Sequence, residues 1–200
     1  MKKLSLYRIK ELGLDSGRAV FSVQQFSNLI RKPRAIATVY MARLVNNKMA
    51  ERLLRGKISF VEDDFVIATQ MVEPSYISLD SALLFSGIKK QITSSVECVT
   101  TKNSIRYGNL AIVYHKIPGR LFFGYKRYKR SNSYIFVAEP AKALIDGLYL
   151  GIYSKKDIEE FADAAGIMRL EELASAYRGY GSKKIQRLIE SLKKQNLKTR

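Results

Sequence analysis

Apolar positions in the first sixty residues recur at helical spacing in three places. Leu4 to Leu14 carries apolar residues at 4, 6, 9, 12 and 14, one face of a short helix, and Gly13 to Gly17 with Asp15 and Ser16 breaks it. In Phe21-Ser22-Val23-Gln24-Gln25-Phe26 a serine stands three residues before a glutamine. That is a capping box, with Phe21 placed to staple against Phe26, so a second helix is expected from Val23 to about Ile30. Arg31-Lys32-Pro33 interrupts it, because the residue before a proline is pushed away from helical geometry while proline suits a helix's first turn. A third helix is expected from Arg34 to Asn46, with Ala37, Met41, Leu44 and Val45 on the stripe that faces a core. Between Lys48 and Phe60, two short apolar runs about the basic tip Arg55-Gly56-Lys57 predict a small hairpin.

The period changes downstream. Pro74 to Ile88 predicts a short buried helix, with Ser78 as its N-cap, Asp80 in the first turn and Gly87 closing it. Alternation over Ser94 to Thr101, Leu110 to Tyr114, Leu121 to Tyr125 and Tyr134 to Val137 predicts four strands of a small antiparallel sheet. Pro140 opens a helix through Ala143, Leu144, Leu148 and Tyr149, and two more helices are expected near Lys155 to Ala165 and Ile185 to Gln195. The predicted fold class is α+β: an N-terminal winged helix-turn-helix, then a C-terminal α+β domain with terminal helices.

Charge gives the first half of this scheme a function. The 200 residues hold 35 Lys and Arg against 18 Asp and Glu, a net +17, which points to an anionic partner. Residues 1–60 hold thirteen bases against Glu11, Asp15 and Glu51, residues 61–75 hold four acids and no base, and the remainder holds 22 bases against 11 acids. The acidic stretch marks a boundary between about Phe65 and Pro74, dividing the chain into domains 1–70 and 71–200. A third helix standing on two others, with a narrow basic outer face, suits a major groove about 12 Å wide. The DNA-binding candidates are Ser22, Gln25, Arg31, Lys32, Arg34, Thr38 and Arg43, joined by Lys48, Arg52, Arg55 and Lys57 of the hairpin, whose cations would reach phosphates. Paired half-sites would make the protein a homodimer on double-stranded DNA. The same order of elements also describes winged helices that bind proteins.

Two further basic segments are candidates for a secondary nucleic-acid or partner contact. Lys126, Arg127, Lys129 and Arg130 interleave with Phe122, Phe123, Tyr125 and Tyr128, as in a groove for a single strand, although alternating aromatics are also what a half-buried strand requires. Lys183, Lys184 and Arg187 lie in the basic tail, beside an apolar stripe of Ile185, Leu188, Ile189 and Leu192.

Catalysis finds little support. One cysteine excludes an internal disulfide, and one cysteine with one histidine removes zinc sites of the usual Cys/His composition, leaving carboxylates to carry any chemistry. Glu62, Asp63 and Asp64 with Asp80 are the candidates, but three acids in a row cannot point one way on a helix or strand, and a solvated turn is expected there. There is no Gly-rich phosphate loop and no nucleophile-base pair. His115, without a carboxylate near it in sequence, and Cys98 are expected to be structural. No enzyme activity, metal or cofactor is predicted. No stretch approaches the roughly 20 apolar residues of a membrane helix, and polar residues from Ser5 onward interrupt any leader, so a cytoplasmic location is expected.

Several segments taken in order resemble the AbiEi family of antitoxins and transcriptional regulators. They are YISLDSAL with its GI stop (76–88), FFGY (122–125) and AEPAKALID (138–146), together with MARLVNNKMAERLLRG (41–56), which is similar to the recognition helix and wing of that family. The resemblance spans most of residues 20–150, while 155–200 match only in being helical and basic. It implies a prokaryotic, cytoplasmic regulator whose winged helix binds its own promoter. It also implies a C-terminal domain that counteracts a nucleotidyltransferase-like toxin without a stable, tight complex. The high charge and basic tail depart from the simplest family member, and a member without a toxin neighbour would be a plain regulator.

Overall fold

A computed structural model describes residues 5–177 and, beyond them, Ile185, Arg187, Leu188 and Glu190. The architecture is α+β, with helices and short strands in the N-terminal part and a mixed sheet with helices in the C-terminal part. The chain divides into two compact units, Met1–Glu73 with Arg127–Ile135, and Pro74–Lys126 with Phe136–Arg200. Among the described residues no helix is long and apolar enough to cross a membrane.

In the first unit the order is α1 (Leu6–Asp15), β1 (Val20–Ser22), α2 (Val23–Ile30), α3 (Arg34–Asn46), β2 (Glu51–Leu54), β3 (Lys57–Ser59) and α4 (Asp64–Met71). β3 is the central strand of a three-stranded antiparallel sheet, β1-β3-β2, paired through Phe21↔Ile58 and Arg52↔Ile58. The capping box forms as the sequence implies: Gln25 N–H donates to Ser22 Oγ at 3.3 Å, and Ser22 N–H donates to Gln25 Oε1 at 2.9 Å. Phe21 and Phe26 meet edge to face at 6.3 Å, and Ile9, Ile30, Ala37, Met41, Leu44, Ile58 and Phe60 complete the core around them. Gly13 packs so tightly on the Phe60 ring that a Cβ there would collide with it, which fixes how closely α1 approaches the sheet.

α4 lies in the stretch expected to be a solvated acidic turn and domain boundary. Asp63 is its N-cap, its Oδ1 accepting from Phe65 N–H at 3.1 Å and Val66 N–H at 3.2 Å, while its Oδ2 accepts from Arg130 Nε at 2.6 Å. The three acids diverge because one is taken by a helix terminus, where a carboxylate satisfies N–H groups that have no partner within the helix. Gln70, buried near the end of α4, accepts from Ala19 N–H at 2.8 Å and donates to Ser133 Oγ at 2.8 Å, and Ser133 in turn donates to the Gly17 carbonyl at 2.7 Å. This network accounts for the return of residues 127–135 to the first unit.

The elements after Glu73 are β4 (Ser75–Ile77), α5 (Leu79–Phe85), β5 (Val96–Thr100), β6 (Ile105–Tyr107), β7 (Ile112–Lys116), β8 (Tyr125–Arg130) and β9 (Ser133–Ala138), followed by α6 (Pro140–Leu150), α7 (Lys155–Ala165) and α8 (Ile167–Ser175), with residues 127–135 of β8 and β9 counted in the first unit and the rest in the second. The six strands lie in the order β6-β7-β5-β4-β9-β8. The sheet is mixed, and the expectation of a small antiparallel sheet is corrected: β5 pairs parallel to β7 and β4 parallel to β9, while β4–β5 and β6–β7 are antiparallel. Alternation marks a strand but carries no direction. The chain between β5 and β7 is long enough to cross back because it also contains β6, so the two can run the same way. Leu121 closes a 3-10 turn and the strand starts only at Tyr125, while Ser75–Ile77, expected to lead into a helix, is the buried strand β4. Ser78 does precede α5, but its hydroxyl makes no cap and turns instead to a buried carboxylate. The helix expected from Ile185 to Gln195 falls largely outside the described residues.

Candidate nucleic-acid interface

The turn from α2 to α3 is three residues long and tightly held. Arg31 takes the left-handed conformation at φ 52°, its N–H donating to the Asn28 carbonyl, while Lys32 N–H donates to the Ser27 carbonyl and Ser27 Oγ donates to the Lys32 carbonyl at 2.6 Å. A non-glycine residue in that region costs about 1–2 kcal/mol, which these bonds offset. α3 then buries Ala37, Met41 and Leu44 and leaves Arg34, Thr38, Arg43 and Asn46 exposed.

β2 and β3 join through Arg55-Gly56, with Gly56 at φ 75° and its carbonyl accepting from Val23 N–H at 3.1 Å. Leu53 is buried, while Arg52 and Arg55 are exposed. Arg31, Arg34, Arg43, Lys48, Arg52 and Arg55 are thus all exposed on the α2–α3 turn, α3 and the hairpin. Among the described residues none of them is paired with a carboxylate. Such an arrangement of uncompensated cations can neutralise phosphates and release their counterions.

Other candidates are already engaged. Ser22 Oγ and Gln25 Oε1 are spent on the capping box. Lys32 is half-buried, and Lys57, also half-buried, donates its ammonium to the Met71 carbonyl at the end of α4. Thr38 Oγ1 donates to the Arg34 carbonyl at 3.0 Å. Arg34 itself makes one bond to a neutral group, its Nε donating to Gln24 Oε1 at 2.5 Å, and its charge stays without a carboxylate partner among the described residues.

The secondary candidates divide. Arg130 pairs with Asp63 and lies 4.9 Å over the Phe65 ring, Arg127 lies 4.4 Å over the Tyr134 ring, and Lys126 is 3.8 Å from Glu139. Lys129 is exposed. Tyr125 stacks on buried Tyr76 at 4.7 Å and Phe122 packs tilted against it at 4.9 Å, so these two aromatics serve packing rather than a base-stacking platform. Lys183 and Lys184 lie outside the described residues, and Arg187 is exposed. His115 has a carboxylate that the linear sequence did not show: Glu97, on the parallel neighbour strand, stands 3.4 Å from its Nε2.

Sequence reasoning missed a polar cluster inside the second unit. Lys142 and Asp146, one turn apart on α6, are completely buried and ion-paired. Asp146 Oδ2 accepts from Tyr76 OH and Ser78 Oγ, each at 2.9 Å, and its Oδ1 accepts from Tyr177 OH at 2.8 Å. The Lys142 ammonium lies 5.1–5.5 Å from the centres of the Tyr76, Phe123 and Tyr177 rings. Burial pushes the lysine below its ordinary pKa against the pull of Asp146, and raises both tyrosines, with the Asp146 charge adding to the rise. The available signal was a Lys-Asp pair at i, i+4 on a helix otherwise apolar. With all its polar members buried and Phe123 half-buried at its side, the cluster acts on the fold.

No protein-family model matches the chain, and no curated protein matches it. The functional reading therefore rests on the geometry of the chain itself.

Proposed function

We propose that the first unit is a winged helix-turn-helix and that the protein is a DNA-binding transcriptional regulator acting on its own promoter. The observation that carries this is the order helix, strand, helix, helix, strand, strand, closed by a three-stranded sheet, with uncompensated cations on α3 and the hairpin. α3 enters the major groove, the hairpin is the wing, and Arg52 and Arg55 hold the backbone. Two copies on paired half-sites form the working complex.

The test is binding of the purified full chain to its own upstream DNA and to a scrambled duplex, each across a salt series. Both affinities fall with a slope near −0.9 per phosphate contact, so the gap between them reports sequence reading. A gap of about a thousandfold or more is expected. Absence of a gap makes this a protein-interaction module and ends the regulator reading.

A second role, as an antitoxin against a nucleotidyltransferase-like toxin, is supported by one observation. Tyr76, Ser78, Phe123, Lys142 and Asp146, drawn from three separate segments that resemble the AbiEi family, meet in one cluster, buried except for the half-buried Phe123. Co-expression of the full chain with a toxin of that class from the neighbouring gene tests it: growth is restored if the role is real, and arrest persists if it is not.

A further inference from the structure

The outward line of α3 is apolar. At about 100° per residue, Ala35, Val39, Ala42 and Asn46 lie along one line opposite the buried Ala37, Met41 and Leu44. Ile36 and Arg43 flank it on one side, and Thr38 and Arg34 on the other. Ile36 and Val39 are 45% and 47% exposed, large side chains that a solvated helix face gains nothing from displaying. Thr38 has its hydroxyl proton committed to the Arg34 carbonyl. Before Asn46 the line holds no amide or carboxylate that could read a base by hydrogen bonding, and the two alanines allow a close approach.

In the major groove, thymine is the base that offers a methyl group. We infer that α3 reads thymine 5-methyl groups through Ala35, Ile36 and Val39, an inference that rests on the DNA-binding function proposed above. Charge selects the occupant: Arg31, Arg34, Arg43, Lys48, Arg52 and Arg55 surround this apolar line or lie on the adjoining hairpin, and none has a carboxylate partner among the described residues. A protein docked on the same face would have to bury these cations or bring acids to each of them. A duplex places phosphates on both sides of a methyl-lined groove.

The experiment begins with the full chain and a random duplex library of about 20 base pairs, two half-sites long. The recovered duplex is then remade with uracil for every thymine, a change that removes only the methyl groups. Each lost contact weakens binding about fourfold, the equivalent of ~0.8 kcal/mol per buried methyl-sized group. Ile36→Ala and Val39→Ala bring the thymine and uracil affinities together, whereas Arg52→Ala weakens both alike. Equal binding of the two duplexes by a chain that does select a sequence overturns the thymine inference and leaves DNA binding standing. Failure to select any sequence overturns both.

Discussion

Around α3 and the β2–β3 hairpin, six cations stand exposed with no carboxylate partner among the described residues, whereas Lys142 in α6 is fully buried, paired with Asp146 and enclosed by three aromatic rings. The chemistry is the same kind of side chain and the consequence is opposite. A solvated cation contributes little to folding, so its charge remains available to a polyanion. A buried one must be matched by charge and hydrogen bonds, and once matched it holds its neighbours in a single arrangement. The first unit leaves its charge exposed and unmatched by carboxylates among the described residues, and the second uses its charge to bring β4, α6 and Tyr177 together.

The largest expected effect comes from breaking the inner pair. Asp146→Ala leaves the Lys142 charge uncompensated and three hydroxyls without their acceptor, so urea denaturation should show a loss of about 3–5 kcal/mol. Lys142→Met with Asp146→Leu should recover only part, because Tyr76, Ser78 and Tyr177 still lack a partner; full recovery would mean the cluster is merely tolerated. At the outer face, Arg34→Ala and Arg43→Ala should leave stability unchanged and cost about 1–3 kcal/mol of discrimination between specific and scrambled duplexes. A loss of folding in either variant would erase the contrast between the units.

The cluster also has a pH signature. Tyr76 and Tyr177 have their pKa raised by burial, so above about pH 10 the unfolded chain releases tyrosine protons that the native chain retains, and their contribution to stability falls as pH rises, while Lys142, whose pKa burial lowers, contributes in the opposite direction. Tyr177→Phe should flatten that alkaline decline, measured by urea unfolding across pH 9 to 11, roughly the range of tyrosine ionisation. Ser22→Ala, which removes half of the capping box in the first unit, should cost about 1 kcal/mol. The smallest effect separates two neighbouring cations. Arg55→Ala should lower the salt slope by about one unit and leave stability intact, whereas Lys57→Ala should register in stability, since its ammonium is bonded to the end of α4.

Legibility followed the range of the interactions. α2 and α3 were readable to the residue because the Ser22–Gln25 capping box and the Pro33 start are local devices whose partners lie within four positions. α4 was not, since Asp63 reads as surface charge until Arg130, 67 positions away, is placed beside it. The candidate interface was legible as a list of cations, but which of them are free was not. Gln25 Oε1 is taken within one helical turn, whereas the Lys57 ammonium is taken by a carbonyl on another element.

The sequence by itself determined α1, α2, α3 and the β2–β3 hairpin but not β1, together with the excess of positive charge and the presence of strands beyond residue 94, because periodicity, caps and composition are properties of short stretches. Tertiary structure alone decided that β5 and β7 run parallel, that residues 127–135 rejoin the first unit, and that Lys142 faces inward onto Asp146. Each depends on pairing groups far apart in the chain. A buried donor or acceptor must find a partner wherever the fold brings one, and linear order does not say where that will be.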